Sequence, residues 1–351
     1  VRSRRLLPAL VAGLAVSTAA VAQDVPLSRV PIPKPAPVQS SAGAMAPATL
    51  PPEPAAGKLL PAPLQADPGA ETPTAHPADR AYGAFQRGLY VTAVKLAEPL
   101  ANLGDPVAQT LLGEIYSRGL GVRQDETIAA RWYEAAAKAG SAEGQFRFAL
   151  LLIDGKVVGQ DLAKARDLMK TAADAGIPLA AYNYAQMLIQ ASPVGGFTEA
   201  RPYFETAARA GVADAQYAMS QIHAYGKGVP APNLAKAREW LQAAALGGHD
   251  IAQIELGIWM INGKGGPADA SEGARWLLRA AGRGNPIAMN RIAHLYKDGI
   301  GVAADKAEAA KWSVLAKRAD NTDNALESFF RSLDESTQKA ALEAANRFRA
   351  S

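Results

Sequence analysis

The chain has 351 residues, of which 49% are hydrophobic, 20% charged and only 7% aromatic, a balance that suits close-packed helices better than sheets. It has no cysteine, which excludes disulfides, zinc–cysteine sites and thiol nucleophiles and leaves the redox compartment open. Setting aside Arg2, Arg4 and Arg5 as part of a leader leaves 34 basic against 33 acidic residues, too even a balance to draw nucleic acid or acidic lipid by charge.

The leader is read from residues 1–22. Arg2, Arg4 and Arg5 precede an apolar stretch from Leu6 to about Ala19, and Ala20-Val21-Ala22 supplies a small-residue cleavage pattern that would leave Gln23 first. The apolar run is short for a bilayer span, so export to a bacterial periplasm is expected, with membrane contact only if the segment is retained. Ser3-Arg4-Arg5-Leu6-Leu7 also approaches the twin-arginine pattern, which leaves the export route open. Residues 23–78 read as a linker: 14 of the 24 prolines fall between Pro26 and Pro77 among few large apolar residues. Within it, Pro31-Ile32-Pro33-Lys34-Pro35 is read as spacer, with a recognition motif for an aromatic groove as the alternative.

From Asp79 the pattern turns helical. Ala81, Phe85, Leu89, Val94, Leu96, Leu100 and Leu103 predict two short helices over 79–104, with Pro99 inside the second, as a degenerate first unit. A helix-pair unit then repeats six times, over 105–140, 141–176, 177–211, 212–248, 249–284 and 285–320. A period of about 36 residues means a solenoid, because each unit can bury its apolar face only against its neighbours. In the first unit, Ala108, Leu112, Gly113 and Tyr116 mark helix A. Gly119-Leu120-Gly121-Val122 forms the loop, Asp125 caps helix B, Trp132, Ala136 and Ala137 mark it, and Gly140 ends it. Gly226-Lys227-Gly228-Val229, Gly263-Lys264-Gly265-Gly266 and Gly299-Ile300-Gly301-Val302 repeat the loop, and Trp240, Trp276 and Trp312 the tryptophan. Asp269 with Glu272 and Asp305 with Glu308 match a capping box. Residues 321–351 predict two closing helices.

These residues resemble the Sel-1-like repeat, a relative of the tetratricopeptide repeat, over about 215 residues. The resemblance implies an all-α, α/α superhelical solenoid that assembles protein complexes. It also brings bacterial relatives that act as exported regulators, including periplasmic inhibitors of sensor kinases; the disulfide-bearing branch of the family is excluded by the lack of cysteine. Departures fall in the middle of the array. The second unit has Val157 for the second glycine and Leu168 for tryptophan. The third replaces the loop by Ser192-Pro193-Val194-Gly195-Gly196 and puts Tyr203 at the tryptophan position, and the fourth lengthens its loop through Pro230 and Pro232.

No constellation for catalysis is evident, and no cofactor or metal is expected. The Gly-x-Gly-Val loops lie between helices rather than after a strand, so they read as turns. The four histidines lack zinc spacing: His76 lies in the linker, His223 reads as core, His249 stands beside a helix cap at Asp250, and His294 faces the inner surface. Asp125, Asp161, Asp269 and Asp305 recur once per unit, as caps should.

The geometry of tetratricopeptide-like arrays, carried over by resemblance, puts three rows of helix A on the inner surface. The first is Thr110, Phe146, Tyr182, Tyr217, Ile254 and Asn290. The second is Glu114, Leu150, Gln186, Gln221, Ile258 and His294, and a third runs one turn on from Ser117 to Lys297. The candidate groove is therefore Phe146, Tyr182, Gln186, Tyr217, Gln221, Ile254, Ile258 and His294, an aromatic strip with amides that suits a peptide segment or helix of an envelope protein. The alternative is that tight curvature buries these side chains between helices. The expected function is that of a non-enzymatic, monomeric periplasmic scaffold or regulator. The alternatives are a structural envelope factor bound to peptidoglycan and, further off, an envelope hydrolase.

Overall fold

A computed structural model describes residues 76–350; the leader and residues 23–75 of the expected linker lie outside the described residues. Sixteen α-helices and no strand occur among the described residues. Helices α1 (Asp79–Gln86) and α2 (Tyr90–Asn102) begin the array, and α2 runs on past Pro99. Six pairs follow: α3 (Pro106–Arg118) with α4 (Glu126–Lys138), α5 (Ala142–Asp154) with α6 (Leu162–Asp174), and α7 (Pro178–Ala191) with α8 (Gly196–Arg209). The others are α9 (Ala213–Tyr225) with α10 (Leu234–Leu246), α11 (Asp250–Asn262) with α12 (Ala270–Gly282), and α13 (Pro286–Asp298) with α14 (Lys306–Arg318). Helices α15 (Asn324–Ser332) and α16 (Glu335–Arg347) follow. From α1 to α14 each helix packs on the one before and the one after, so the chain is an all-α solenoid with helices A in one layer and helices B in the other.

Side-chain caps start most of these helices. Asp105 and Ser141 cap α3 and α5, and Asp125, Asp161, Asn233, Asp269 and Asp305 cap every helix B except α8, whose N-cap is Gly195. The capping-box expectation is corrected. Asp269 and Asp305 do accept from the amides of Glu272 and Glu308 at 2.9 Å, but the glutamates do not return the bond. The Asp269 and Asp305 amides donate instead to Met260 and Tyr296 carbonyls in the preceding helix, at 2.8 and 2.9 Å. Glu308 is then free to hold Lys311 and the Trp312 indole, and Glu272 pairs with Arg275. A second correction concerns α11: its cap is His249, whose Nδ1 accepts from the Ala252 amide at 3.1 Å, and Asp250 is already the first helical residue.

The second loop glycine answers a close approach. At Gly301 (φ 70°) an added Cβ would stand 2.0 Å from the Ala270 carbonyl oxygen, and at Gly265 (φ 75°) 2.3 Å from that of Leu234. The loop of each regular unit thus seats on the first turn of the preceding helix B, where no side chain fits. Val157 holds the corresponding place in the second unit without entering the left-handed region. Within a unit, Gly113 lets α3 close on α4: its Cβ would meet the Tyr133 ring at 2.5 Å. Leu112 is fully buried and Tyr116 packs against the clusters on both sides of it, so the two fill the space between units as expected.

One recurring bond was not foreseen. Gln109, Gln216 and Gln253 each donate through Nε2, at 3.0–3.1 Å, to Ala101, Ala208 and Ala245, eight residues back in the last turn of the preceding helix B. They satisfy carbonyls that the helix end leaves open. At the C-terminal end, α16 lies along α14 where a further helix A would lie, and Phe348 meets Trp312 edge-on at 5.5 Å. Helix α15 touches α14 more lightly, with only Leu326 buried.

Candidate functional site

The layer of helices A carries the residues singled out above, and burial separates them. Phe146, Gln186 and Ile254 are buried, with at most 8% of their surface exposed, so the core alternative holds at these three positions. Tyr182, Tyr217, Gln221, Ile258 and His294 are half-buried and keep surface on the layer. Tyr182 lies edge-on against the fully buried Phe204 at 5.8 Å, and burial pushes its hydroxyl pKa up. In the third unit Tyr203, at the tryptophan position, packs on Tyr184 at 4.8 Å and donates to Asp174.

Three polar clusters lie along this layer, two tying one helix A to the next and the third tying the last helix A to α15. In the first, Glu114 on α3 accepts from the Arg118 guanidinium and the Tyr133 hydroxyl, both at 3.1 Å, and lies 3.9 Å from Arg147 on α5. Arg147 also donates to Glu143 at 2.7 Å. In the second, the Tyr217 hydroxyl and the Gln221 amide on α9 each donate at 3.0 Å to one oxygen of Glu255 on α11. Tyr217 also stacks on His249 with ring centroids 4.4 Å apart. Burial pushes the Glu255 carboxyl pKa up, and the two hydrogen bonds and the Lys264 charge only partly offset it.

The third cluster joins the last unit to α15. Asp323, the cap of α15, accepts from Asn290 at 3.2 Å and lies 2.9 Å from His294 Nε2. Burial would raise its pKa, but the bonds from His294, the Leu326 amide and Asn290 win and hold it at about 2. His294, expected to face a ligand, is therefore engaged by the chain's own Asp323. The remaining histidines have local roles too. His223 is buried, with its pKa lowered by desolvation, and His76 Nδ1 accepts from the Ala78 amide.

Arg147, Glu255 and Asp323 were not singled out from sequence. For Arg147 and Glu255 the signal is a register: Leu111, Arg147, Asn183, Ala218, Glu255 and Arg291 occupy one position of successive units, and charge appears there in an otherwise neutral row. Asp323 stands outside the row as the cap of α15. Among the described residues no group of three or more His, Asp or Glu could hold a metal, and no helix is long and apolar enough to cross a membrane. A cleft of about 500 Å³ lies apart from the central helices A, between α14, α15 and α16, lined by Val314, Lys317, Leu326, Phe330 and Leu342.

Comparison with known proteins settles what the repeat is. The Sel1 repeat family model matches residues 106–141, 142–177, 213–249, 250–285 and 286–321, more than half of the chain. The chain belongs to the Sel1 repeat family. The stretch 178–212 carries no match yet folds as the pair α7–α8. No curated protein matches the sequence. A solved Sel1 repeat protein from Oxalobacter formigenes is 26% identical, with a TM-score of 0.59, over 69% of this chain and 99% of that one. A protective antigen of uropathogenic Escherichia coli with an SLR fold is 25% identical, with a TM-score of 0.51, over 74% of this chain. The match spans 64% of that antigen's length. Sel1 repeats are in general protein–protein interaction modules and typically non-catalytic scaffolds.

Proposed function

We propose that this Sel1 repeat chain is a non-enzymatic, exported scaffold that binds a segment of an envelope protein along its helix-A layer. The observation that carries the reading is the strip of half-exposed aromatic, aliphatic and amide side chains, Leu150, Tyr182, Tyr217, Gln221 and Ile258, on successive helices A. Large rings with adjacent amides anchor peptide segments by burial and by hydrogen bonds to main chain. Export rests on the basic, apolar and small-residue succession of residues 1–22, and the proline-rich stretch to residue 78 serves as a spacer.

Crosslinking in the native cell followed by capture tests the reading, with the full chain beside a Tyr182→Ala/Tyr217→Ala version whose helical circular dichroism is unchanged. One dominant envelope protein, lost in the double variant, is the expected result. A partner list indifferent to both substitutions defeats the groove. Co-sedimentation with sacculi replaces the scaffold by a peptidoglycan-bound structural factor. Cell fractionation with N-terminal sequencing checks export, for which a periplasmic form beginning at Gln23 is expected.

A further inference from the structure

The three polar clusters differ in how their carboxylates are balanced. Glu114 has Arg118 and Arg147 within 4 Å, and Asp323 has His294. Glu255 has neutral donors instead, Tyr217 and Gln221, and no Lys, Arg or His nitrogen within salt-bridge distance among the described residues. The Lys264 ammonium, the cation nearest in effect, lies 4.2 Å from the centroid of the Trp259 ring. A carboxylate largely removed from water without a counter-ion lowers the stability of the array.

The surroundings of Glu255 have the chemistry of a cation site. Tyr217, Gln221 and Tyr225 succeed one another at intervals of four on one face of α9. The outermost, Tyr225, is 45% exposed, and its pKa is pushed up by burial first and by the Glu255 charge second. A carboxylate offers about four acceptor positions, and the two hydrogen bonds occupy only half of them. The free positions, with the exposed Tyr225 ring one turn further along the same face of α9, match an ammonium or guanidinium, which gains both a charge-assisted hydrogen bond and an aromatic contact.

We propose that this part of the helix-A layer receives a lysine or arginine side chain of the bound segment, with Glu255 as its counter-ion and the Tyr225 ring as its aromatic neighbour. The inference rests on the groove reading and adds the chemistry of the partner: a basic segment, met between the fourth and fifth units.

A phage-displayed library of random 12-residue peptides, panned on the full chain, tests it. The expected result is enrichment of Lys or Arg at one register, with the selected peptides bound about tenfold more weakly by Glu255→Gln. Binding by the control Glu239→Gln, an exposed helix-B carboxylate, should be unchanged. Glu255→Gln keeps the side-chain shape, and its unfolding midpoint at or above that of the native chain separates lost binding from lost fold. Selected peptides without a basic position, or basic peptides indifferent to Glu255→Gln, overturn this inference and leave the groove reading standing. Failure to select any peptide, or equal binding by Tyr182→Ala/Tyr217→Ala, overturns both. Self-association in sedimentation that Glu255→Gln abolishes overturns it in favour of a second copy of the chain.

Discussion

Glu255 on α11 and Asp323 at the start of α15 are each held by donors from the preceding helix A, α9 and α13, and the array uses them in opposite ways. Asp323 accepts from Asn290, from His294 and from the amides of Ala325 and Leu326, so one carboxylate fastens α15 to the last unit and caps that helix as well. Glu255 is more deeply buried and holds two neutral donors. Burial costs both groups solvation. Only at Asp323 do the bonds to the charged form exceed that cost, which is why one carboxyl is pushed down and the other up. The end of a solenoid lacks a neighbour and needs fastening. A middle unit is held on both sides and can carry an unbalanced charge.

The largest effect should come from Asp323→Ala. It removes a cap and several bonds to a charged group, and after allowance for partial exposure it should cost about 2–3 kcal/mol. Chemical denaturation should show the loss, with hydrogen exchange placing it in α15 and α14. Tyr217→Phe should cost about 1.5 kcal/mol, because it leaves the buried Glu255 with one donor fewer. In a Glu255→Gln background the same change should cost less, and equal costs would break the comparison.

Glu255→Gln alone should stabilise the array by on the order of 1 kcal/mol, a rise in melting temperature of roughly 2 °C. A fall of that size would show the carboxylate to be balanced after all. The smallest effect is a pH slope. As pH falls from neutral toward the unfolded carboxyl value of 4.5, native Glu255 takes up a proton before the unfolded chain does, so stability rises. Asp323 acts in reverse: its contribution is present above 3.8 and is lost as pH falls through about 2. The native chain should therefore gain on Glu255→Gln between pH 7 and 4.5, read as the difference between their unfolding midpoints. A difference that is flat with pH would remove Glu255 from the account.

Much of the architecture was legible in the residues. The loop glycines, the aspartate caps and the small residues at Ala108 and Gly113 each have a local reason that recurs every unit. The third unit remained readable although its loop and tryptophan are replaced, because its helix-A pattern of Ala180, Tyr184 and Ala185 stays buried as in its neighbours. The site was less legible. Rows drawn from repeat geometry gave Tyr217 and Gln221 but placed the buried Phe146 and Ile254 among surface residues, and they passed over Glu255. A periodic position fixes which way a Cα points, whereas burial depends on how steeply the next unit leans over it.

The sequence alone determined the period, the helix pairs and the turns, since caps, left-handed glycines and apolar spacing act within a few residues of themselves. Only the tertiary structure decided which helix-A side chains remain on the surface, that His294 is spent on Asp323, and that Glu255 has no counter-ion among the described residues. Those outcomes join residues some 30–40 positions apart, and the strength of a charge there is set by the burial and partners that packing supplies.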